Sequence, residues 1–292
     1  MTSVTARPHS AAEDGREDDG YFGPGSVTWR LFADPSLSLG GIAAILLQAL
    51  NPDMMRLFTK VSDFYGDAAG RSERTGRYLE TITYGDRAHA DAAARSVRRM
   101  HAHARWVDPE TGQERKADTE SWQDWTHNTL VWSIVRAAAL YGPSLTDDER
   151  DRFVREQHAS ARLLGMDAFR LPSTWAELDA EVQRQGEHMA LTMAANELAR
   201  NLRKPSLKGN PVAVLIGVSI QDGILAILPE WARQLYGIEG RPMSLRAATR
   251  TTRRLLAVSR RQGRGDRAVV AIIQRVEEHP YRKVRKRRPV TP

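Results

Sequence analysis

Thr119 to Gly142 reads TESWQDWTHNTLVWSIVRAAALYG. Leu130, Val131, Ile134, Val135 and Ala138 recur at helical spacing, and Gly142-Pro143 ends the run, so the stretch predicts a helix with an apolar stripe. The same period continues on both sides. Upstream, Ala43, Leu46, Leu47 and Leu50 mark a helix that Pro52 closes. Tyr78, Leu79, Ile82 and Thr83 mark another, from about Arg71 to Tyr84. Asp91 to Arg105 is rich in alanine and arginine, holds no breaker and predicts a third. Pro109 to Asp118, with Gly112, reads as a polar loop.

Downstream, Thr146-x-x-Glu149 and Thr174-x-x-Glu177 are capping-box patterns. In each the threonine oxygen accepts from a free N–H of the first turn and the glutamate reaches back. The first predicts a helix ending at Gly165, the second a helix running to roughly Arg200, and Val212 to Val276 is also mostly helical in pattern. No run of short alternating strands, no βαβ rhythm and no internal repeat is visible. The predicted fold is all-α, a single globular helical domain over 21–280.

The 292 residues contain no cysteine, which excludes disulfides, thiolate zinc sites, iron–sulfur clusters and thiolate-ligated haem. The net charge of +7 is uneven: residues 1–20 contribute −3, Arg282 to Arg288 contribute +6, and the remainder holds only +4. The basic character therefore belongs partly to a C-terminal tail, 281–292, and does not make the body a nucleic-acid binder. Residues 1–20 read as a disordered acidic arm. Arginine outnumbers lysine 37 to 6, a compositional hint of a GC-rich bacterial genome. The N-terminus is polar and acidic, unlike a secretory signal. Ile42–Leu50 is too short to span a bilayer, and Pro211–Leu228 is interrupted by Gln221, Asp222 and Gly223, so the expectation is a cytoplasmic protein without a membrane span.

Of eight histidines, His9 lies in the arm and His279 beside the tail. His101 and His103 differ by two positions, so only one faces inward. His101 shares a side with Ala94, Val97 and Ala104 and is the interior candidate. Arg98 and Arg105 stand three before and four after it, near the same face. Two readings follow. One is a solvated edge with a single buried histidine; the other has the arginines meeting an anion, either haem propionates or carboxylates from another helix. His127 faces Leu130, Val131 and Ile134, either as a hydrogen-bonded core histidine or as a second pocket group. On the preceding helix Arg71 and Thr75 share a face and Arg74 is adjacent, either as an exposed helix start or as polar donors over a pocket. Asp86-x-x-His89 and Asp124-x-x-His127 are two D-x-x-H pairs, which raises a non-haem di-iron bundle, although no further inward glutamate is placed by pattern.

The order YFGPGS, LLQAL-x-P, R-x-x-R-T, YGD, VRRMHAHAR, WTHNTL, LLG…LP and ILPEWARQLYG, from about Tyr21 to Gly237, resembles the bacterial haem oxygenase family of the latex-clearing proteins (rubber oxygenases) and the fungal MpaB-type oxygenases. The resemblance implies a helical fold enclosing a pocket for non-covalent haem b. It gives His101 the role of iron ligand, with Arg98 and Arg105 beside it to hold the cofactor, and makes dioxygen the co-substrate. It also implies that Arg71, Arg74 and Thr75 stand on the distal side and that His127 belongs to the catalytic group. Latex-clearing proteins have a lysine where this chain has Arg74. Arginine has no lone pair to offer, so the distal iron position is expected to be open or water-filled. Asn51 stands where many relatives have a histidine before the proline. The expected activity is a haem-dependent oxygenase acting on an organic, alkene-containing, isoprenoid or specialised-metabolite substrate, with an electron donor as partner. The alternatives are a non-catalytic helical binding protein with a basic tail and the di-iron oxygenase.

Overall fold

Helix follows helix in the computed structural model, which describes residues 16–61, 68–202, 211–237, 242–262 and 264–278. In chain order these are α1 (Val27–Phe32), α2 (Ser36–Ala49), α3 (Pro52–Val61), α4 (Ala68–Tyr84) and α5 (Arg87–His103). A hairpin of β1 (Arg105–Val107) and β2 (Glu114–Lys116) comes next, then α6 (Glu120–Tyr141), α7 (Asp147–Leu163), α8 (Trp175–Gln185) and α9 (Met193–Leu202). The chain closes with α10 (Pro211–Leu225), α11 (Glu230–Leu235), α12 (Pro242–Arg261) and α13 (Arg264–Glu278). The all-α expectation holds.

The stretch 119–142 forms α6, but its packing differs from a single stripe. Val131, Trp132, Ser133, Ile134 and Val135 are buried consecutively, whereas Leu130 is only half-buried. Burial on every side is the mark of a central helix. Its main partner is α2, with α7, α8 and α12 also packed against it. The α2 contact is close because Gly40 faces α6: a Cβ there would sit 3.0 Å from the Ser133 carbonyl oxygen and 3.1 Å from the Ile134 Cα. Leu46, Leu47 and Leu50 extend the same core, each worth about 1.5–3 kcal/mol of burial.

Polar bonds tie the outer helices to this core. Glu156 of α7 accepts the Val27 and Thr28 amides at 3.2 and 2.8 Å and the Thr28 hydroxyl at 2.7 Å, capping α1 from another helix. Arg260 of α12 grips Asp34 with two nitrogens, at 2.6 and 2.8 Å. The Tyr141 hydroxyl donates to the Gly223 carbonyl at 2.7 Å.

Both capping boxes form as read, at Thr146/Glu149 and Thr174/Glu177. Four boundaries differ. Pro52 opens α3 rather than closing α2, because the Asn51 side chain accepts the Met54 amide at 3.0 Å and proline suits a first helical turn. The helix from Thr174 stops at Gln185, and α9 starts separately. A Cβ at Gly186 would lie 2.7 Å from the Trp231 ring, and Thr192 caps the new start by accepting the Ala195 amide at 3.1 Å. The helix expected to reach Arg105 ends at His103. The expected polar loop contains a hairpin that pairs Arg105 with Lys116. Order also begins before Tyr21: Arg16 is buried over the Trp29 ring, and Asp18 accepts the Gly20 and Arg87 amides at 2.7 and 3.0 Å. The rest of the acidic arm and the basic tail lie outside the described residues.

Among the described residues no single helix is long and apolar enough to cross a membrane. Helices α2 and α3 meet that description only as a pair bent by 100°.

The neighbouring glycines of α2 should respond with opposite signs to one substitution. Gly40→Ala presses on the α6 backbone and is expected to cost about 1–3 kcal/mol. Gly41→Ala meets nothing within 4 Å and is expected to add about 0.5–1 kcal/mol through helix propensity. Urea unfolding midpoints of the two variants check the pair.

Candidate functional site

Helices α4 and α5 pack on one another across a connection of only Gly85 and Asp86. That connection puts Arg71, Arg74 and Thr75 at the start of α4, and Arg98 and His101 at the end of α5, all away from the turn. Arg74 and Thr75 are exposed, while the Arg71 side chain lies outside the described residues. One turn further along α4 the Tyr78 hydroxyl is buried without a hydrogen-bond partner, and burial pushes its pKa well above the ordinary phenol value. The sequence reading took Tyr78 as part of an apolar face. Its spacing of four from Arg74 was the available signal that it belongs with the polar residues.

His101 is half-buried, as its companions Ala93 and Ala94 on the inner face of α5 lead one to expect. Burial pulls its pKa below the usual imidazole value against the opposing pull of Asp118, so the ring is neutral at pH 7. Among the described residues the ring makes no hydrogen bond. His103 is exposed, with Nδ1 2.6 Å from the Arg99 carbonyl oxygen. Arg98 is exposed and lies against Gly165, whose added Cβ would be 3.5 Å from the guanidinium Nε; Gly165 has φ +83°, which suits glycine alone. Among the described residues Arg98 forms no ion pair.

Arg105 is placed differently from the helical expectation. It starts β1, donates from Nε to the Ala102 carbonyl at 2.7 Å and reaches Glu114 at 3.7 Å and Asp118 at 4.0 Å. It closes the C-terminus of α5 instead of continuing its face.

His127 stands on α6. Both α5 and α6 pack on α7, so this helix links the two histidine positions. His158 of α7, 2.8 Å from the Pro172 carbonyl oxygen through Nε2, is the titratable neighbour of His127. Burial, then His158, push the His127 pKa down to about 3. An open cleft of about 520 Å³ lies nearby, lined by Asp124, Asn128, Arg170, Pro172, Glu177 and Arg184 among others. It is a polar groove, and neither His101 nor Arg98 lines it.

The two D-x-x-H pairs part company. Asp124 reaches Arg170 at 3.4 Å, and among the described residues neither it nor His127 joins a cluster of metal-ligand type. Asp86 and His89 do join one, with Glu277 of α13 as third member: their ligand atoms all lie within 4.8 Å of one another. No sequence pattern pointed to Glu277, because only folding brings α13 against α4 and the start of α5.

These features define an all-helical protein with a neutral imidazole on the half-buried face of one helix, and arginines, a threonine and a buried tyrosine on that helix and its neighbour. The family model described as the ER-bound oxygenase mpaB/B'/rubber oxygenase catalytic domain matches residues 29–261. The chain belongs to this family of oxygenases. No curated protein and no solved structure matched the chain. The matched region contains every site residue proposed from the sequence, and α13 lies beyond it.

A histidine held neutral by burial makes the fold acid-sensitive. Stability from His127 is fully present above the unfolded-state value near 6.5. It is lost as pH falls from there towards about 3, by up to about 1.4 kcal/mol per pH unit. His127→Gln is expected to flatten the decline in unfolding free energy between pH 6.5 and 5, measured by denaturant titration at fixed pH steps.

Proposed function

We propose that this chain is a haem b-dependent oxygenase that uses dioxygen on an organic substrate, with His101 as the iron ligand. The observation that supports it is the state of that ring: neutral at pH 7, half-buried and without a hydrogen bond among the described residues, in a chain of an oxygenase family. A neutral imidazole offers iron its lone pair without first losing a proton.

The donor set fits the group. Arg98 would meet a propionate, since its guanidinium forms no ion pair among the described residues and Gly165 leaves it room. Arg105, held by Ala102, Glu114 and Asp118, serves better as the clasp that fixes the end of the His101 helix. Bound haem supplies the redox-active iron at which dioxygen is activated.

The chain's own residues then bind and orient. Arg71, Arg74 and Thr75 would supply hydrogen-bond donors to the bound oxygen or substrate. Arginine remains protonated there, so Arg74 donates but does not ligate. The Tyr78 hydroxyl, protonated at any working pH, adds a donor on the same helix. His127, neutral for the same reason as His101, accepts or donates one hydrogen bond without bringing in a charge. The substrate class is an alkene-containing or isoprenoid small molecule, with an electron donor as partner and the cytoplasm as the place of action. Arg74 separates the chain from the lysine-bearing latex-clearing group and favours a specialised metabolite over polyisoprene.

Absorption spectroscopy of the purified protein reconstituted with haem tests this reading. A Soret band is expected in the wild type and in His127→Ala. His101→Ala is expected to lose it or retain haem at least tenfold more weakly, with Arg98→Ala in between. A wild-type protein without a Soret band after haem addition defeats the proposal, and a normal spectrum in His101→Ala defeats the ligand assignment.

A further inference from the structure

Asp86 is the first residue of interest away from the His101 face. It caps α5 by accepting the His89 amide at 2.9 Å, and the same oxygen lies 2.8 Å from His89 Nδ1. A cap needs only the first of these bonds. Glu277, from α13, brings Oε1 to 3.7 Å from the same ring nitrogen. The Asp86 and His89 side chains are fully buried, and that of Glu277 is 16% exposed. The second Asp86 oxygen, Oδ2, is buried without a hydrogen-bond partner, as is His89 Nε2. Leaving such an oxygen unpartnered costs about 1–3 kcal/mol, more when it is charged.

We propose that Asp86, His89 and Glu277 form a binding site for one divalent transition-metal ion of the zinc class, which clamps α13 onto the α4–α5 junction. Two carboxylates and an imidazole are a donor set that borderline divalent ions accept. Zinc bonds of about 2.0–2.2 Å place neighbouring ligand atoms about 3.4 Å apart in a tetrahedral shell. The 2.8 and 3.7 Å separations from His89 Nδ1 fall on either side of that value, and all three ligand atoms lie within 4.8 Å of one another, so side-chain adjustments of about an ångström or less at Asp86 and Glu277 close the shell on an ion. Asp86 Oδ2 or a water completes it. The burial of the set matches a closed structural site rather than a catalytic one with an open position. Elsewhere on α13, Arg275 pairs with Glu80 at 3.2 Å at an exposed position. The clamp is independent of haem, and its third ligand lies outside the region matched by the oxygenase family.

The test uses the full chain, freed of metal by dialysis against a chelator and titrated with zinc chloride in competition with a chromophoric chelator. One tight site per chain is expected, together with a rise of several degrees in the thermal unfolding midpoint, because an ion that binds only the folded state stabilises it. Asp86→Ser retains an oxygen to cap α5 but removes the carboxylate, and Glu277→Gln removes the α13 ligand. Each is expected to weaken zinc binding about 10-fold or more while keeping the helical circular dichroism of the metal-free chain. His103→Ala, which removes an exposed imidazole on the same helix, is expected to leave the affinity unchanged. The proposal is overturned if the chain takes up no zinc, if both Asp86→Ser and Glu277→Gln bind it as tightly as the wild type, or if zinc leaves the unfolding midpoint where it was. The first outcome would identify the cluster as a buried hydrogen-bonded contact of one imidazole with two carboxylates.

Discussion

Gly85 has no space for a side chain. A Cβ there would lie 2.6 Å from the Thr81 carbonyl oxygen, 3.0 Å from Val276 Cγ1 and 3.2 Å from the His89 Cβ. The N-terminal segment comes as close from another side, at Gly20, whose added Cβ would be 2.3 Å from the Gly85 oxygen. Helices α4, α5 and α13 and residues 16–20 therefore meet at one residue pair, Gly85–Asp86. The direction in which α4 and α5 leave this pair sets where Arg74 and His101 stand. A shift at the junction would be magnified along 17-residue helices on both sides. Packing as dense as a crystal explains why contacts so far from the site constrain it.

The chemistry rests on burial acting on imidazole. Taking the ring out of water disfavours the cation, so His101 and His127 stay neutral where an exposed histidine would titrate. The cost appears at low pH as lost stability and the benefit at neutral pH as available lone pairs. His89 meets burial in another way, with carboxylates at 2.8 and 3.7 Å. The same side chain thus stands as a half-buried ring without a hydrogen bond among the described residues, as a ring whose pKa burial lowers to about 3, and as the centre of an acidic cluster, according to what surrounds it.

The helical placement of the candidate residues was legible because it is local. Arg71, Arg74 and Thr75 occupy one helix, and His101 was separable from His103 by helical geometry alone. Arg105 was misjudged because nothing in AHARWV stops a helix. The stop comes from a hairpin whose partner strand lies nine residues beyond the start of β1. Likewise the run after Thr174 holds no proline, and the close approach of Trp231 from α11 at Gly186, where the α-helix ends, is not written in it. Asn51, which stands where many relatives have a histidine, caps α3.

The amino-acid order by itself determined the helical class, both capping boxes, the exclusion of thiolate chemistry and the histidine that faces inward. All of these depend on composition or on residues within two turns of each other. Tertiary structure alone decided that the middle of α6, Val131 to Val135, is buried on every side and that Tyr78 and Asp86 each hide an unpartnered oxygen. It alone brought Glu277 to His89. Such features arise where segments distant in the chain exclude water from the same volume, and no local pattern records which segments those will be.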